Sequence, residues 1–204
     1  MELEMDDDYP FLAQRCQEAI EGIAFAVDEL APPLVEAAAC ITQAFLQEGR
    51  LFTCGNGPDA ALAQLIASRM LAGFEQERPA LPAMALAADS SSLGSLASRH
   101  GLDEVFAQSL RALAHSGDIL LCICSGSVGG NLLRALEVAR ERDMTIVVLS
   151  SARDGSLADK VEPGEVLLPC AGNTLARVTE LQILALHLLC ELVERNLFGH
   201  YHGN

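Results

Sequence analysis

Along the chain, a short apolar run is followed again and again by a helical pattern a few residues later. The sharpest instance is "DILLCIC" (118–124), which ends in "SGSVGGN" (125–131) and passes into "LLRALEVAR". Runs that are apolar at every position suit strands buried on both faces, and such strands occur in parallel sheets covered by helices. "RLFTC" (50–54) leads to a helix from about Pro58 to Gly73, and "AMAL" (83–86) to a helical region through Leu113. A further helix is expected from about Gly129 to Glu141. "TIVVLS" (145–150) and "EVLLP" (165–169) complete five strands, and a long helix follows from about Asn173 to Asn196. Right-handed crossovers then give an α/β, doubly wound sheet whose ligand crevice lies at the carboxyl ends of the strands.

Ahead of this unit, residues 1–49 read as a helical hairpin belonging to the same domain as residues 50–204. Ile20, Ile23, Val27 and Leu30 fall on one helical stripe, Pro32-Pro33 interrupts it, and Leu34, Ala37, Ala38, Ile41 and Phe45 resume it. The segment "LQILALHLLCELV" (181–193) is apolar nearly all round, which predicts burial in the domain or in a seam between protomers.

Composition excludes some functions. The 13 basic residues against 28 acidic ones give a formal charge of −15, unsuited to direct binding of a nucleic-acid backbone. No apolar run reaches membrane-spanning length, and the acidic start "MELEMDDDYP" lacks the basic-then-apolar pattern of a signal peptide. A cytoplasmic protein is expected. The seven Cys have no metal-finger spacing, and Cys122 and Cys124 are read as pointing to opposite faces of their strand, poor geometry for a metal or redox pair.

Two strand ends carry glycine-rich loops, "CGNGPD" (54–59) and "CSGSVGGN" (124–131). Backbone N–H groups in such loops, beside a helix start, attract phosphate. The candidate ligands of a phosphosugar are Asn56, Gly57, Ser125, Ser127 and Asp89, although Asp89 reads more readily as the N-cap of a helix. His200-x-His202 reads as a frayed tail rather than a metal site, and Asp103-Glu104 as acids favoured at a helix start.

Five ordered segments, "LFTCGNG" (51–57), "ERPALPAMAL" (77–86), "DEVFAQSLRALAHSGDILL" (103–121), "RDMTIVVLS" (142–150) and "LLCELVERNLF" (188–198), together resemble the SIS (sugar isomerase) domain family. They are similar to the branch holding sedoheptulose-7-phosphate isomerases and the DnaA initiator-associating protein DiaA. The resemblance implies a flavodoxin-like sheet and a homotetramer with sites between subunits. It also marks departures. Where the isomerases continue the first loop with Gly-Ser, this chain has Pro58-Asp59, and a carboxylate there repels a phosphate by roughly 1 to 4 kcal/mol. In the second loop one hydroxyl stays in register at Ser125, and Ser127 adds another at a shifted place. Where the resemblance implies a His and a Glu one turn apart, Leu65 and Arg69 stand; where it implies a Gln and a His, Thr179 and His187 stand. His187 is thus the residual catalytic candidate.

These departures lead to the expectation of a non-catalytic, DiaA-like tetrameric scaffold that binds the replication initiator DnaA, with Leu197-Phe198 as the contact the resemblance implies. Packing of that pair on a neighbouring element is the competing reading. The alternatives are a sedoheptulose-7-phosphate isomerase, the one reading that would call for zinc, or a sensor that binds a phosphosugar without turnover. No metal or other cofactor is otherwise expected.

Overall fold

The computed structural model describes residues 8–153 and 155–199. The sheet has five parallel strands: β1 (Leu51–Gly55), β2 (Ala83–Ala85), β3 (Ile119–Cys124), β4 (Thr145–Ser151) and β5 (Val166–Cys170). Their order is β2-β1-β3-β4-β5, so the chain reverses its direction of travel across the sheet between β1 and β3. Every residue of β1 and β3 is buried, as expected of runs without polar alternation.

Among the described residues, six α-helices cover the two faces. One layer holds α1 (Asp8–Leu46), α2 (Pro58–Ala72) and α6 (Leu175–Phe198), packed on Leu51, Leu121, Ile123 and Leu149. The other holds α3 (Ser90–His100), α4 (Val105–Leu113) and α5 (Gly130–Glu141), packed on Phe52, Leu120 and Val148. A 3-10 turn at Leu102–Glu104 joins α3 to α4. Glu104 there accepts hydrogen bonds from Arg111 (2.8 Å) and Arg134 (2.7 Å), linking α4 to α5. These bonds hold its carboxyl below the usual range.

Two expectations are corrected. The N-terminal segment is one helix of 39 residues that runs through Pro32 and Pro33, not a hairpin. The prolines free the carbonyls of Asp28 and Glu29, whose residues are exposed and can be hydrated. Meanwhile Ala26, Leu30, Leu34, Ala37, Ala38 and Ile41 keep one helical phase across the break and pack in the α1–α6 layer. The expected stripe of Ile20, Ile23 and Val27 is instead exposed. Cys122 and Cys124 share a face, as residues two apart on a strand must, and Cys54 joins them.

Three buried thiols, Cys122, Cys170 and Cys190, are inert. Cys54 and Cys122 lie Sγ to Sγ at 3.5 Å, and this hydrogen bond, with burial, pushes the Cys122 thiol far above its ordinary value. Burial alone carries Cys170 to about 12, and burial foremost carries Cys190 to about 12. At neutral pH all three stay protonated and poorly nucleophilic.

The end of α2 is fixed to α6 by a buried ion pair. Arg78 Nε donates to Glu194 Oε1 at 2.6 Å, and the Phe74 and Glu75 amides donate to the same carboxylate at 2.9 and 3.3 Å. The Arg78 guanidinium also caps the carbonyls of Arg69 and Met70. Glu194→Ala leaves a buried cation and two amides unpaired, so it should lower unfolding free energy by about 3–5 kcal/mol in urea titration. Arg78→Met with Glu194→Leu should recover much of that loss; a single variant as stable as the parent would show that the pair is dispensable.

Candidate functional site

The site follows from the topology. β1 and β3 are neighbours, but the helices that follow them, α2 and α5, leave to opposite faces of the sheet. The carboxyl edge between their loops is the crevice in which parallel sheets of this kind take ligands. The first loop is Gly55-Asn56-Gly57 with the first turn of α2, and the second spans 124–131.

Two sets of hydrogen bonds cross the crevice. Asn56 Nδ2 donates to Asn131 Oδ1 at 2.8 Å, and Asn131 Nδ2 returns a bond to Asn56 Oδ1 at 2.8 Å. A Cβ on Gly129 would lie 2.6 Å from Asn131 Oδ1 and 2.7 Å from Asn56 Nδ2, so this position must be glycine for the amides to pair. The second bond runs from the Ser125 N–H to Asp59 Oδ2 at 2.9 Å. Asp59 is only 6% exposed, and its other oxygen, Oδ1, is buried without a partner. Desolvation and then the charge of Asp59 raise the Cys124 thiol beneath the loop.

The structure therefore brings Asn56, Gly57 and Ser125 to one crevice. Gly57 adopts φ 54° as the strand turns into α2, a conformation that favours glycine. Ser127, in the second loop, is exposed. Asp89 is the N-cap of α3: its carboxylate accepts from the Ser91 and Ser92 amides at 3.0 and 3.2 Å and from the Ser92 hydroxyl. The Ser92 hydroxyl bond, foremost, holds its carboxyl below the usual range. Asn131, placed by the sequence in the second loop without being named as a site residue, is the functional residue missed. An Asn at the second position of a helix that follows a glycine pair was the available signal.

The other candidates lie elsewhere. Leu65 is packed against the core shared by α1, α2 and α6. Arg69, one turn on, sets its guanidinium 5.5 Å from the centroid of Phe74. The Phe74 ring in turn lies 5.2 Å from that of His187, tilted by 33°. Ten residues of α2 separate Asp59 from Arg69, about 15 Å of helix. Leu197 packs on the same core as Leu65, whereas Phe198 is 42% exposed with the Arg78 guanidinium 6.0 Å from its ring centroid. The His200-x-His202 tail and nearly all of the acidic "MELEMDDD" lie outside the described residues.

A zinc ion does not fit the donors present. Leu65 offers no ligand and Arg69 is a cation. Among the described residues, no group of three or more His, Cys, Asp or Glu side chains is arranged to hold a metal.

This architecture has relatives. A family model for the SIS domain matches residues 16–151, so the chain belongs to the SIS domain family. A phosphoheptose isomerase of Halorhodospira halophila is 40% identical over 193 residues, covering 95% of this chain and 98% of that one. One from Methylococcus capsulatus is 40% identical over 180 residues, covering 88% and 92%. Among solved structures, a phosphoheptose isomerase from Neisseria gonorrhoeae superposes with a TM-score of 0.83 at 33% identity, covering 91% of this chain and 97% of that one. A second, from Francisella tularensis, gives 0.86 at 27%, covering 92% and 98%.

These relatives correct the expected function. Proteins that match nearly end to end carry the name phosphoheptose isomerase, which overturns the non-catalytic, DnaA-binding scaffold in favour of its alternative. The residues meant to carry that scaffold are also engaged within the chain: Leu197 packs on the core and Phe198 sits by Arg78.

Asn131→Ala should test the crevice itself. It leaves the half-buried Asn56 amide unpaired and should cost about 1–3 kcal/mol of stability. Amide hydrogen exchange should quicken at 55–59 and 124–131 and nowhere else. Unchanged exchange there would mean that the amide pair does not hold the loops.

Proposed function

We propose that the chain is a phosphosugar isomerase of the phosphoheptose type. The phosphate end of the sugar enters the crevice between 55–59 and 124–131, and the carbonyl end extends along α2 toward α6. The single observation that carries this reading is the 40% identity to a phosphoheptose isomerase across 95% of the chain. The crevice supports it chemically, because Asn56, Asn131 and the Ser125 hydroxyl offer donors suited to phosphate and sugar oxygens.

Interconverting a ketose and an aldose moves a proton between neighbouring carbons, which requires a positioned base that can return the proton as an acid. The reading assigns that work to His187, whose imidazole can accept a proton and give it back. Its ring is oriented by Phe74, at the end of α2 distal to the loops. Since the donors do not fit a zinc ion, no step passes through a metal.

A second reading, a sensor that binds a phosphosugar without turnover, is favoured by one observation. Leu65 and Arg69 occupy α2 where the family resemblance implies a polar pair, and Leu65 is committed to the core. Both readings keep the expectation of a cytoplasmic protein. No helix among the described residues is long and apolar enough to cross a membrane.

Incubation with sedoheptulose 7-phosphate, followed by chromatography of the products, separates the two. The isomerase reading expects an aldose phosphate from the parent and at least a 100-fold slower rate from His187→Ala. Binding by calorimetry with no product would leave the sensor; neither binding nor product would remove both.

The homotetramer is retained as a proposal, supported by the exposed face of α1. Ile20 is 61% exposed, with Ile23 and Val27 on the same helical stripe, an apolar row that a copy of the chain would cover. Light scattering should give a mass of four chains, reduced by Ile20→Asp with Val27→Asp. A parent that stays monomeric at micromolar concentration would refute the assembly.

A further inference from the structure

Asp59 is a buried carboxylate whose surroundings only half satisfy it. One oxygen takes the Ser125 amide at 2.9 Å, and the other has no partner. Burying an acid this way is costly, so the chain must hold it in place. It does so by close packing. A Cβ on Gly55 would lie 2.6 Å from the Asp59 carbonyl oxygen and 2.9 Å from its Cβ, so the first turn of α2 is pressed onto the end of β1. The favourable field at the start of α2 adds to this.

The donor that Asp59 occupies matters more than the acid. The Ser125 N–H is the first backbone donor after β3, in the loop that leads to α5, at the switch point of the sheet. An amide in that position is the kind of group a phosphate oxygen uses. The start of α5 is screened as well: a Cβ on Gly130 would lie 2.5 Å from Asp103 Oδ1, so the Asp103 carboxylate stands over the first residue of that helix.

We propose that Asp59 is a resident anion, a carboxylate that fills the donor a ligand's phosphate would need. A phosphate ester enters this part of the crevice only by displacing it, with Gly57 as the pivot between β1 and α2. The proposal rests on the sugar-phosphate reading of the crevice. Its consequence is selectivity: the wild-type loop holds phosphate weakly, and binding of a sugar phosphate is coupled to movement of the α2 N-terminus.

The test uses three forms of the full chain: the parent, Asp59→Ser and Asp59→Asn. Asn keeps the shape and an acceptor for the Ser125 amide while removing the charge, and melting curves establish that each variant folds. Inorganic phosphate and sedoheptulose 7-phosphate are titrated separately by calorimetry and by amide NMR. Asp59→Ser should bind inorganic phosphate at least about tenfold more tightly than the parent, with Asp59→Asn between them. The Ser125 amide resonance should move on phosphate addition in Asp59→Ser and stay in place in the parent. With sedoheptulose 7-phosphate, the parent should show shifts of the Gly57, Asp59 and Ala60 amides that mark displacement of Asp59. Equal phosphate affinity in parent and Asp59→Ser, or a parent Ser125 amide that responds to inorganic phosphate as the variant's does, would overturn the proposal. A phosphate gain in Asp59→Ser without turnover of the sugar phosphate by any form would support the resident anion while counting against the isomerase reading.

Discussion

The hydrogen bonds that tie loop 55–59 to loop 124–131 set the geometry on which the functional reading depends. Because β1 and β3 send their helices to opposite faces of the sheet, the carboxyl edge between their loops is a crevice whatever the side chains are. The side chains decide how wide it stays. The reciprocal Asn56–Asn131 pair and the Asp59–Ser125 bond span it, and both require small residues close by: Gly129 under the amides and Gly55 under Asp59. The crevice is thus prearranged by its own polar groups, and a ligand must exchange its hydrogen bonds for some of theirs.

The same device recurs away from the crevice. Asp118, buried ahead of β3, accepts the Arg50 and His115 amides at 2.8 Å each and fastens the start of β1 to the start of β3. Glu194 accepts two amides and Arg78, and it fastens α2 to α6. An acidic chain folds here partly by turning carboxylates inward onto backbone donors. Asp118 and Glu194 are satisfied on both oxygens, as structural acids should be. Asp59 keeps one oxygen unpaired, and that difference separates it from the other two.

Much of this was legible in the sequence because it is local. Wholly apolar runs placed all five strands to within a residue or two, and the glycine loops after "LFTC" and "LCIC" located the crevice. What failed was either longer in range or overridden by packing. Pro32-Pro33 suggested a break, but the apolar stripe from Ala26 to Ile41 kept its phase and held the helix together. Asp59 read as an acid that would repel phosphate. That it accepts an amide 66 positions away depends on strand order, which no local pattern states. Asn131 was invisible for the same reason. The departures at Leu65, Arg69 and Thr179 were legible, yet their weight was misjudged: they favoured a scaffold, whereas similarity across nearly the whole chain favours the isomerase type.

On the proposed reading, ligand chemistry belongs to the crevice between the β1 and β3 loops. Hydrogen–deuterium exchange of the full chain, with and without sedoheptulose 7-phosphate, tests this. Protection should appear at 55–59 and 124–131, extending along α2. Protection confined instead to the cavity of about 230 Å³ between α1 and the start of α6, lined by Glu18, Glu21, Arg177 and Glu180, would contradict it.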